Sequence, residues 1–134
     1  MLKQLSIYAE NKKGALQTMT NALYEAGINS WGSVTNDGAE YGINRMVVSD
    51  PDKAKEVLTE KGYLCRFVDV LAVEIEDKPG ALNTLLTALL DSNVNVDYTY
   101  LSFNRDSSTP VMILHTADPE EVEICLRAKG FKMV

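Results

Sequence analysis

Two short polar segments of this sequence carry residue types that can hold a small zwitterion. They are Asn11-Lys12-Lys13-Gly14-Ala15-Leu16 and Asp77-Lys78-Pro79-Gly80-Ala81-Leu82. Each follows an alternating apolar pattern typical of a strand and precedes apolar residues at helical spacing. The first turn of a helix has unpaired N–H groups and a partial positive charge, so it favours a carboxylate. The side-chain oxygens of Asn11 and Asp77 can accept hydrogen bonds from an ammonium group.

An α-amino acid carries both an ammonium group and a carboxylate. The spacing therefore predicts a site for the part that all amino acids share, and a glycine in the loop allows close approach to the backbone. A second interpretation stays open, because the same residues could serve only as turn and helix-cap residues. Their repetition does not decide between the two, since a duplication preserves structural turns as well.

The two segments belong to an internal repeat that covers the whole chain. Glu10, Lys12, Gly14, Ala15 and Leu16 align with Glu76, Lys78, Gly80, Ala81 and Leu82. Asp50-Pro51 aligns with Asp118-Pro119 only if the second copy contains two extra residues, which we place in the polar loop 104–110. The repeat predicts two modules, residues 1–68 and 69–134.

The first copy predicts the order βαββαβ. Leu5, Ile7 and Ala9 alternate with polar residues, which predicts a strand with one buried face. The helix that follows has its apolar side at Leu16, Met19, Thr20 and Leu23 and ends at Gly27. Strands over 28–35 and 41–48 flank a turn at Asn36-Asp37-Gly38. Asp50 and Pro51 begin a second helix, and a strand follows over 63–67.

The second copy repeats this order. It predicts a strand over 71–75, a helix lined by Leu82, Leu85, Leu86 and Leu89, a hairpin over 94–103 and 111–116, a helix from Asp118, and a short strand over 131–134. The link 68–70 has no Gly, Pro or Ser, so it is not a flexible tether. We predict an α+β fold of two tandem ferredoxin-like modules, packed rigidly with antiparallel sheets side by side and helices on one face.

Composition excludes several classes of protein. The chain has 134 residues and a net charge of −6, without a cluster of Lys and Arg, which disfavours nucleic-acid binding. No apolar run is long enough to span a membrane, and the N-terminus does not resemble a signal peptide. Cys65 and Cys125 are expected to be reduced thiols. We therefore predict a cytoplasmic protein with no cofactor and no metal site.

A few other residues allow two interpretations. Trp31, Tyr98 and Tyr100 on the predicted second strands could shape a pocket, but aromatic residues in strands usually pack. Asp97 could select a basic or polar ligand or simply be exposed. His115 would need a nucleophile or carboxylate partner for catalysis, and the sequence identifies none. These residues favour a binding protein over an enzyme.

The second loop and the starts of the two predicted second strands resemble a known family. Asp77-Lys78-Pro79-Gly80-Ala81-Leu82, together with Gly27-Ile28-Asn29 and Asn93-Val94-Asn95-Val96, is similar to the motif of the ACT-domain family. The resemblance extends over essentially the full chain as two tandem ACT modules. Lys13 departs from the proline that the family often has, which puts the equivalence of the two loops in doubt.

The resemblance implies that a free amino acid binds where two ACT modules meet, through the loop of one module and the second strand of its neighbour. The implied ligand-binding residues are Asn11, Lys12, Lys13, Gly14, Ala15, Leu16, Asn29, Asp77, Lys78, Pro79, Gly80, Ala81, Leu82 and Asn95. It also implies a regulatory protein rather than an enzyme, and a homodimer. An alternative is a regulatory subunit that acts mainly by contact with an amino-acid biosynthetic enzyme, similar to the small subunit of acetolactate synthase.

Overall fold

The computed structural model describes residues 1–36 and 41–134. In chain order the elements are β1 (Leu2–Glu10), α1 (Ala15–Glu25), β2 (Ser30–Asn36), β3 (Tyr41–Val48), α2 (Pro51–Glu60), β4 (Leu64–Glu74), α3 (Ala81–Asp91), β5 (Tyr98–Phe103), β6 (Pro110–His115) and α4 (Pro119–Ala128). The predicted turn residues Asp37 and Gly38 lie outside the described part.

The chain divides into two compact units. One is Lys3–Val68, called module 1 below; the other is Asp69–Val134 with Met1–Leu2, called module 2. The boundary falls inside β4, so the residues predicted to link the copies are part of a strand. The predicted fold class, α+β with two ferredoxin-like modules, is confirmed by the element order and the antiparallel pairing.

In module 1, β3 lies between β1 and β2 and pairs antiparallel with both. Leu5 and Ile7 of β1 share a core with Met19 of α1 and Leu58 of α2. Because side chains alternate between the faces of a strand, both helices must lie on the face that Leu5 and Ile7 present. The large buried side chains of this core supply most of the free energy that stabilises the module.

Module 2 repeats the arrangement. β6 lies between β4 and β5 and is antiparallel to both. Leu71 of β4 packs with Leu85 of α3 and Leu126 of α4. The last predicted strand is reduced to a bridge between Val73 and Met133, with hydrogen bonds on either side of it.

The second helix of each module begins as its sequence predicts. The Asp50 carboxylate accepts a hydrogen bond from the Lys53 N–H at 3.2 Å, and proline follows at the first helical position. The Asp118 carboxylate does the same with the Glu121 N–H at 3.5 Å. Each carboxylate satisfies a donor that has no partner inside the helix.

The buried faces of the first helices are narrower than predicted. Met19 is fully buried, but Leu16 is 47% exposed and Thr20 is exposed. In α3, Leu82 is 38% and Leu86 is 36% exposed. The prediction for these four residues was wrong because helical spacing does not show which residues extend past the sheet. Leu16 and Leu82 line cavities at the loops instead.

The prediction that β1 has one buried face was also wrong. Leu5 and Ile7 are fully buried as expected, but Gln4 is 0% and Ser6 is 8% exposed on the opposite face. The two polar side chains meet, with the Gln4 Nε2 donating to the Ser6 Oγ at 3.2 Å. A polar residue at alternate positions therefore did not mark a solvent-facing side, because hydrogen bonding allows polar groups to be buried.

Candidate functional site

The two strand-to-helix loops have the same backbone geometry. Gly14 has φ 84° and ψ −4°, and Gly80 has φ 87° and ψ −8°. Each is the last residue before its helix, and the following N–H closes a turn onto the carbonyl of Lys12 or Lys78. A positive φ is costly for residues with a Cβ, so the conformation itself explains why both positions are glycine. An added Cβ at either position would meet open space.

Both helices begin without a side-chain cap. The Thr18 hydroxyl and N–H both donate to the Gly14 carbonyl at 2.9 Å, and Thr84 repeats this at Gly80. The N–H groups of Leu16 and Gln17 have no hydrogen-bond acceptor among residues 1–36 and 41–134. These donors and the helix dipole make the start of each helix suited to a carboxylate.

A lysine in each loop is paired with a glutamate two residues before it, at the end of β1 in module 1 and just after β4 in module 2. The Lys12 Nζ lies 3.0 Å from the Glu10 carboxylate, and Lys78 pairs with Glu76 in the same way. The hydrogen bond with Glu10 raises the pKa of Lys12. Lys13 has no such equivalent in module 2, where the position is Pro79.

Each loop has a cavity beside the C-terminal end of its second helix. In module 1 this cavity measures about 670 Å³ and is lined by loop residues together with Tyr8, Gly62 and Tyr63. The cavity of module 2 measures about 390 Å³ and is lined by the aligned Glu74, Gly130 and Phe131. Both volumes lie within the usual range for small-molecule sites.

Each loop also has a cavity on its other side, toward the hairpin strands. The cavity in module 1 measures about 320 Å³ and contains Asn11, Leu16, Thr35 and Asn44. The one in module 2 measures about 340 Å³ and contains the aligned Asp77, Leu82, Leu101 and neighbouring residues. The candidate loop residues are therefore brought together around an open space in each module.

The structure does not bring the two predicted asparagines of the second strands to the loop of their own module. Asn29 and Asn95 lie past the C-terminal ends of α1 and α3, whereas the loops lie at the N-terminal ends. The Asn29 N–H donates to the Ser49 hydroxyl at 2.9 Å. The Asn95 Nδ2 donates to Asp97 at 3.1 Å, and both residues line a third cavity in module 2, of about 470 Å³.

His115 has a carboxylate partner that sequence reasoning missed. Its Nδ1 lies 2.8 Å from an Asp97 oxygen, and its ring stacks on Tyr98 with centroids 5.0 Å apart. The pairing depends on the register of β5 and β6, which places Tyr98 opposite His115. Asp97 also accepts a hydrogen bond from the Asn95 side chain, which helps to orient the imidazole.

The three aromatic residues that could either shape a pocket or pack in the core differ in their burial. Tyr100 is 6% exposed, which fits a packing role. Trp31 and Tyr98 are half-buried and do not line the loop cavities. Cys65 and Cys125 are both free thiols, as predicted, and burial raises the pKa of the Cys65 thiol.

Within the described ranges, no group of three or more His, Cys, Asp or Glu side chains is arranged to hold a metal ion. In the same part of the chain, no helix is both long enough and apolar enough to cross a membrane.

The geometry of two duplicated modules with matching loops agrees with the comparisons to known proteins. The family model described as "ACT domain pair" matches residues 1–133, and the chain belongs to this family. The family consists of amino-acid-binding regulatory domains, so the chain is of a regulatory rather than a catalytic type. No curated protein matches the chain.

Two crystal structures show how far the similarity extends. A protein from Bacteroides thetaiotaomicron is 30% identical, with a TM-score of 0.90 over 99% of this chain and 91% of that one. The ligand-free regulatory subunit of aspartate kinase from Thermus thermophilus is 18% identical, with a TM-score of 0.67 over 95% and 91%. At the lower identity, the second comparison shows only a shared fold.

Proposed function

We propose that this protein is a sensor that binds a free amino acid at its strand-to-helix loops. The observation that carries the proposal is the set of unpaired N–H groups at the start of α1, which open onto cavities of suitable size. Membership of a family of amino-acid-binding domains supports the same ligand class.

The proposed ligand contacts follow from charge and hydrogen bonding. The α-carboxylate accepts hydrogen bonds from the backbone after Gly14 or Gly80. The ammonium group donates to the side-chain oxygen of Asn11 or Asp77. The remaining contacts come from the second strand of a neighbouring module, at Asn29 or Asn95, as the family resemblance implies. All fourteen loop and strand residues predicted from the sequence remain part of this proposal.

Regulation follows if the ligand binds one arrangement of the protein more tightly than another. We propose that the protein acts in the cytoplasm as a homodimer, with modules 1–68 and 69–134 as its structural units. The free thiols are typical of a reducing compartment, and symmetric dimers are the commonest soluble oligomers.

A regulatory subunit that contacts a metabolic enzyme is a second candidate. It is favoured by a row of exposed leucines on α3: Leu82, Leu86 and Leu90, the last of them 75% exposed. Residues four apart lie on the same side of a helix, so the three form one apolar strip suited to a protein contact. Copurification of an enzyme with the chain, lost in a Leu86→Lys variant that still binds an amino acid, would support this role.

A thermal-shift screen against the twenty amino acids tests the sensor proposal. A ligand at about 100 times its dissociation constant adds roughly 2.7 kcal/mol of stability. We expect one or a few amino acids to raise the melting temperature, and we expect Asn11→Ala or Asp77→Ala to reduce that shift. Asn21→Ala, an exposed change in the middle of α1, serves as the matched control and should leave it unchanged. A screen without any shift would contradict the proposal.

A further inference from the structure

The side-chain amide of Asn44 is buried, and one of its two polar atoms has no hydrogen-bond partner in the described part of the chain. The residue is 3% exposed and lies on β3 opposite Ile7, on the face covered by the helices. Its Nδ2 lies 2.9 Å from the Ser33 hydroxyl and 2.8 Å from the Thr35 hydroxyl. Its Oδ1 has no hydrogen-bond partner in the described part of the chain. A buried acceptor without a partner is costly, so such a group is usually completed by a bound donor.

The same residue lines the loop cavity on the hairpin side of module 1. Leu16 and Gln17, whose N–H groups lack an acceptor in the described ranges, line that cavity as well. One small cavity is thus lined both by residues with backbone donors suited to a carboxylate and by Asn44, whose buried amide oxygen has no donor. Its volume of about 320 Å³ fits a compact polar molecule rather than a large one.

Module 2 lacks this acceptor. The strand register places Leu101 opposite Met112, as it places Thr35 opposite Asn44 in module 1. Leu101 lines the corresponding cavity with Phe103 and Pro110, which have no side-chain hydrogen-bonding group. The two loops share their backbone, but the hairpin residues beside them differ, with Thr35 and Asn44 lining one cavity and Leu101, Phe103 and Pro110 lining the other.

We propose that the hairpin-side cavity of module 1 selects amino acids whose neutral side chain carries an N–H or O–H donor, and that Asn44 Oδ1 accepts this hydrogen bond. Serine, threonine, asparagine and glutamine have such side chains. The inference rests on the proposed function, since it assigns the ligand class of the same loop. Module 2 does not make this selection, because the hairpin residues that line its cavity carry no side-chain hydrogen-bonding group.

Titration calorimetry with pairs of amino acids of similar shape tests the selection. The pairs are threonine with valine, asparagine with leucine, and asparagine with aspartate. We expect the first member of at least one pair to bind tenfold or more tightly, because its partner leaves Asn44 without a donor. Equal affinities within every pair would mean that water completes Asn44, and the inference would be wrong. Tighter binding of aspartate would show that the amide faces the cavity with its nitrogen, which also overturns it.

Variants that place the residues of module 2 at the aligned positions of module 1 test whether the discrimination depends on Asn44. Asn44→Met alone leaves the Ser33 and Thr35 hydroxyls without their shared partner, so the double variant Thr35→Leu/Asn44→Met is tested beside it. We expect both to reduce the discrimination within a pair to less than threefold while general amino-acid binding persists. Met112→Leu, at the aligned position of module 2, is the matched control and should keep the discrimination. Circular dichroism confirms that each variant is folded before binding is measured.

The outcomes separate this inference from the function on which it rests. If the protein binds amino acids but the Asn44 variants discriminate as strongly as the natural sequence, only the inference fails. If no amino acid binds the natural protein, both fail. Binding with discrimination that persists in Asn44→Met but is lost in Met112→Leu would assign the selective site to module 2 and contradict the inference.

Discussion

The two modules have almost the same backbone at their loops but different surroundings. Gly14 and Gly80 differ by only a few degrees in φ and ψ, and Thr18 and Thr84 bond to them in the same way. The hairpin residues beside the loops diverge, with Thr35 and Asn44 lining the cavity of module 1 and Leu101 and Phe103 lining that of module 2. Duplication has therefore preserved the loop backbone, while the hairpin residues beside it have changed.

The cavities beside the second helices diverge as well. Tyr8 lies in the cavity of module 1, and the aligned Glu74 lies in that of module 2. The Glu74 side chain is 9% exposed, and its carboxylate lies 3.0 Å from the Lys132 Nζ and accepts hydrogen bonds from Asn104 and Ser107. It therefore ties the loop with the predicted insertion to the end of the chain.

The largest expected effect tests whether the two cores are equivalent. Leu23→Ala in module 1 and Leu89→Ala in module 2 remove aligned side chains that are 3% and 1% exposed. Each should lower the free energy of unfolding by about 2–5 kcal/mol, because a cavity remains in a packed core. Urea denaturation measures this loss, and hydrogen exchange shows which module loses protection. A loss below about 1 kcal/mol in only one variant would break the equivalence.

A smaller effect is expected from the loop glycines. Gly14→Ala and Gly80→Ala should each cost about 1–2 kcal/mol, because alanine is strained at a positive φ. The added methyl group meets open space, so the cost is conformational and should be nearly equal in the two modules. Gly14→Asn and Gly80→Asn are the controls and should cost less, since asparagine tolerates this region. Urea denaturation of all four variants measures these costs. An unchanged free energy of unfolding in the alanine variants would contradict the prediction.

The smallest expected effect is a dependence of stability on pH that Glu74 gives to module 2. The hydrogen bond from Lys132 is the main reason that the pKa of Glu74 lies below its ordinary value. The stabilisation is then fully present above the pKa of the unfolded chain and is lost as pH falls through the folded pKa. Glu74→Gln should cost about 1 kcal/mol at pH 7 and little at acid pH. Denaturation at several pH values measures this difference, and Tyr8→Phe, at the aligned position, is the control without such a pH dependence.

A variant Glu74→Gln that lost the same stability at every pH would show that packing, rather than charge, is what Glu74 contributes. The comparison of the two modules would then rest on the hairpin-side cavities alone.

Much of the fold followed from local patterns. The Asp-Pro starts of α2 and α4 and the strand from Tyr41 to Val48 were predicted where the structure has them. These features are set by backbone chemistry within a few residues, so sequence is sufficient to recognise them. The ACT resemblance was confirmed by a family match over nearly the whole chain.

The candidate site remains a prediction. The sequence singles out the loop residues because Gly14 and Gly80 recur with the same neighbours. The burial of Asn44 at the edge of a loop cavity was not predicted, since an asparagine in a strand gives no local signal that it is buried. The pairing of Asp97 with His115 was missed for a similar reason, because it depends on how two strands align.

The sequence by itself determined the duplication, the order of elements and the loop chemistry, because each depends on neighbouring residues or on the similarity of the two halves. Only the tertiary structure decided that Gln4 and Ser6 are buried, that Leu16 is exposed and that Asn44 shares a cavity with the start of α1. These properties depend on strand register and on what covers each face. Both bring together residues that are distant in the chain, and no local pattern records such contacts.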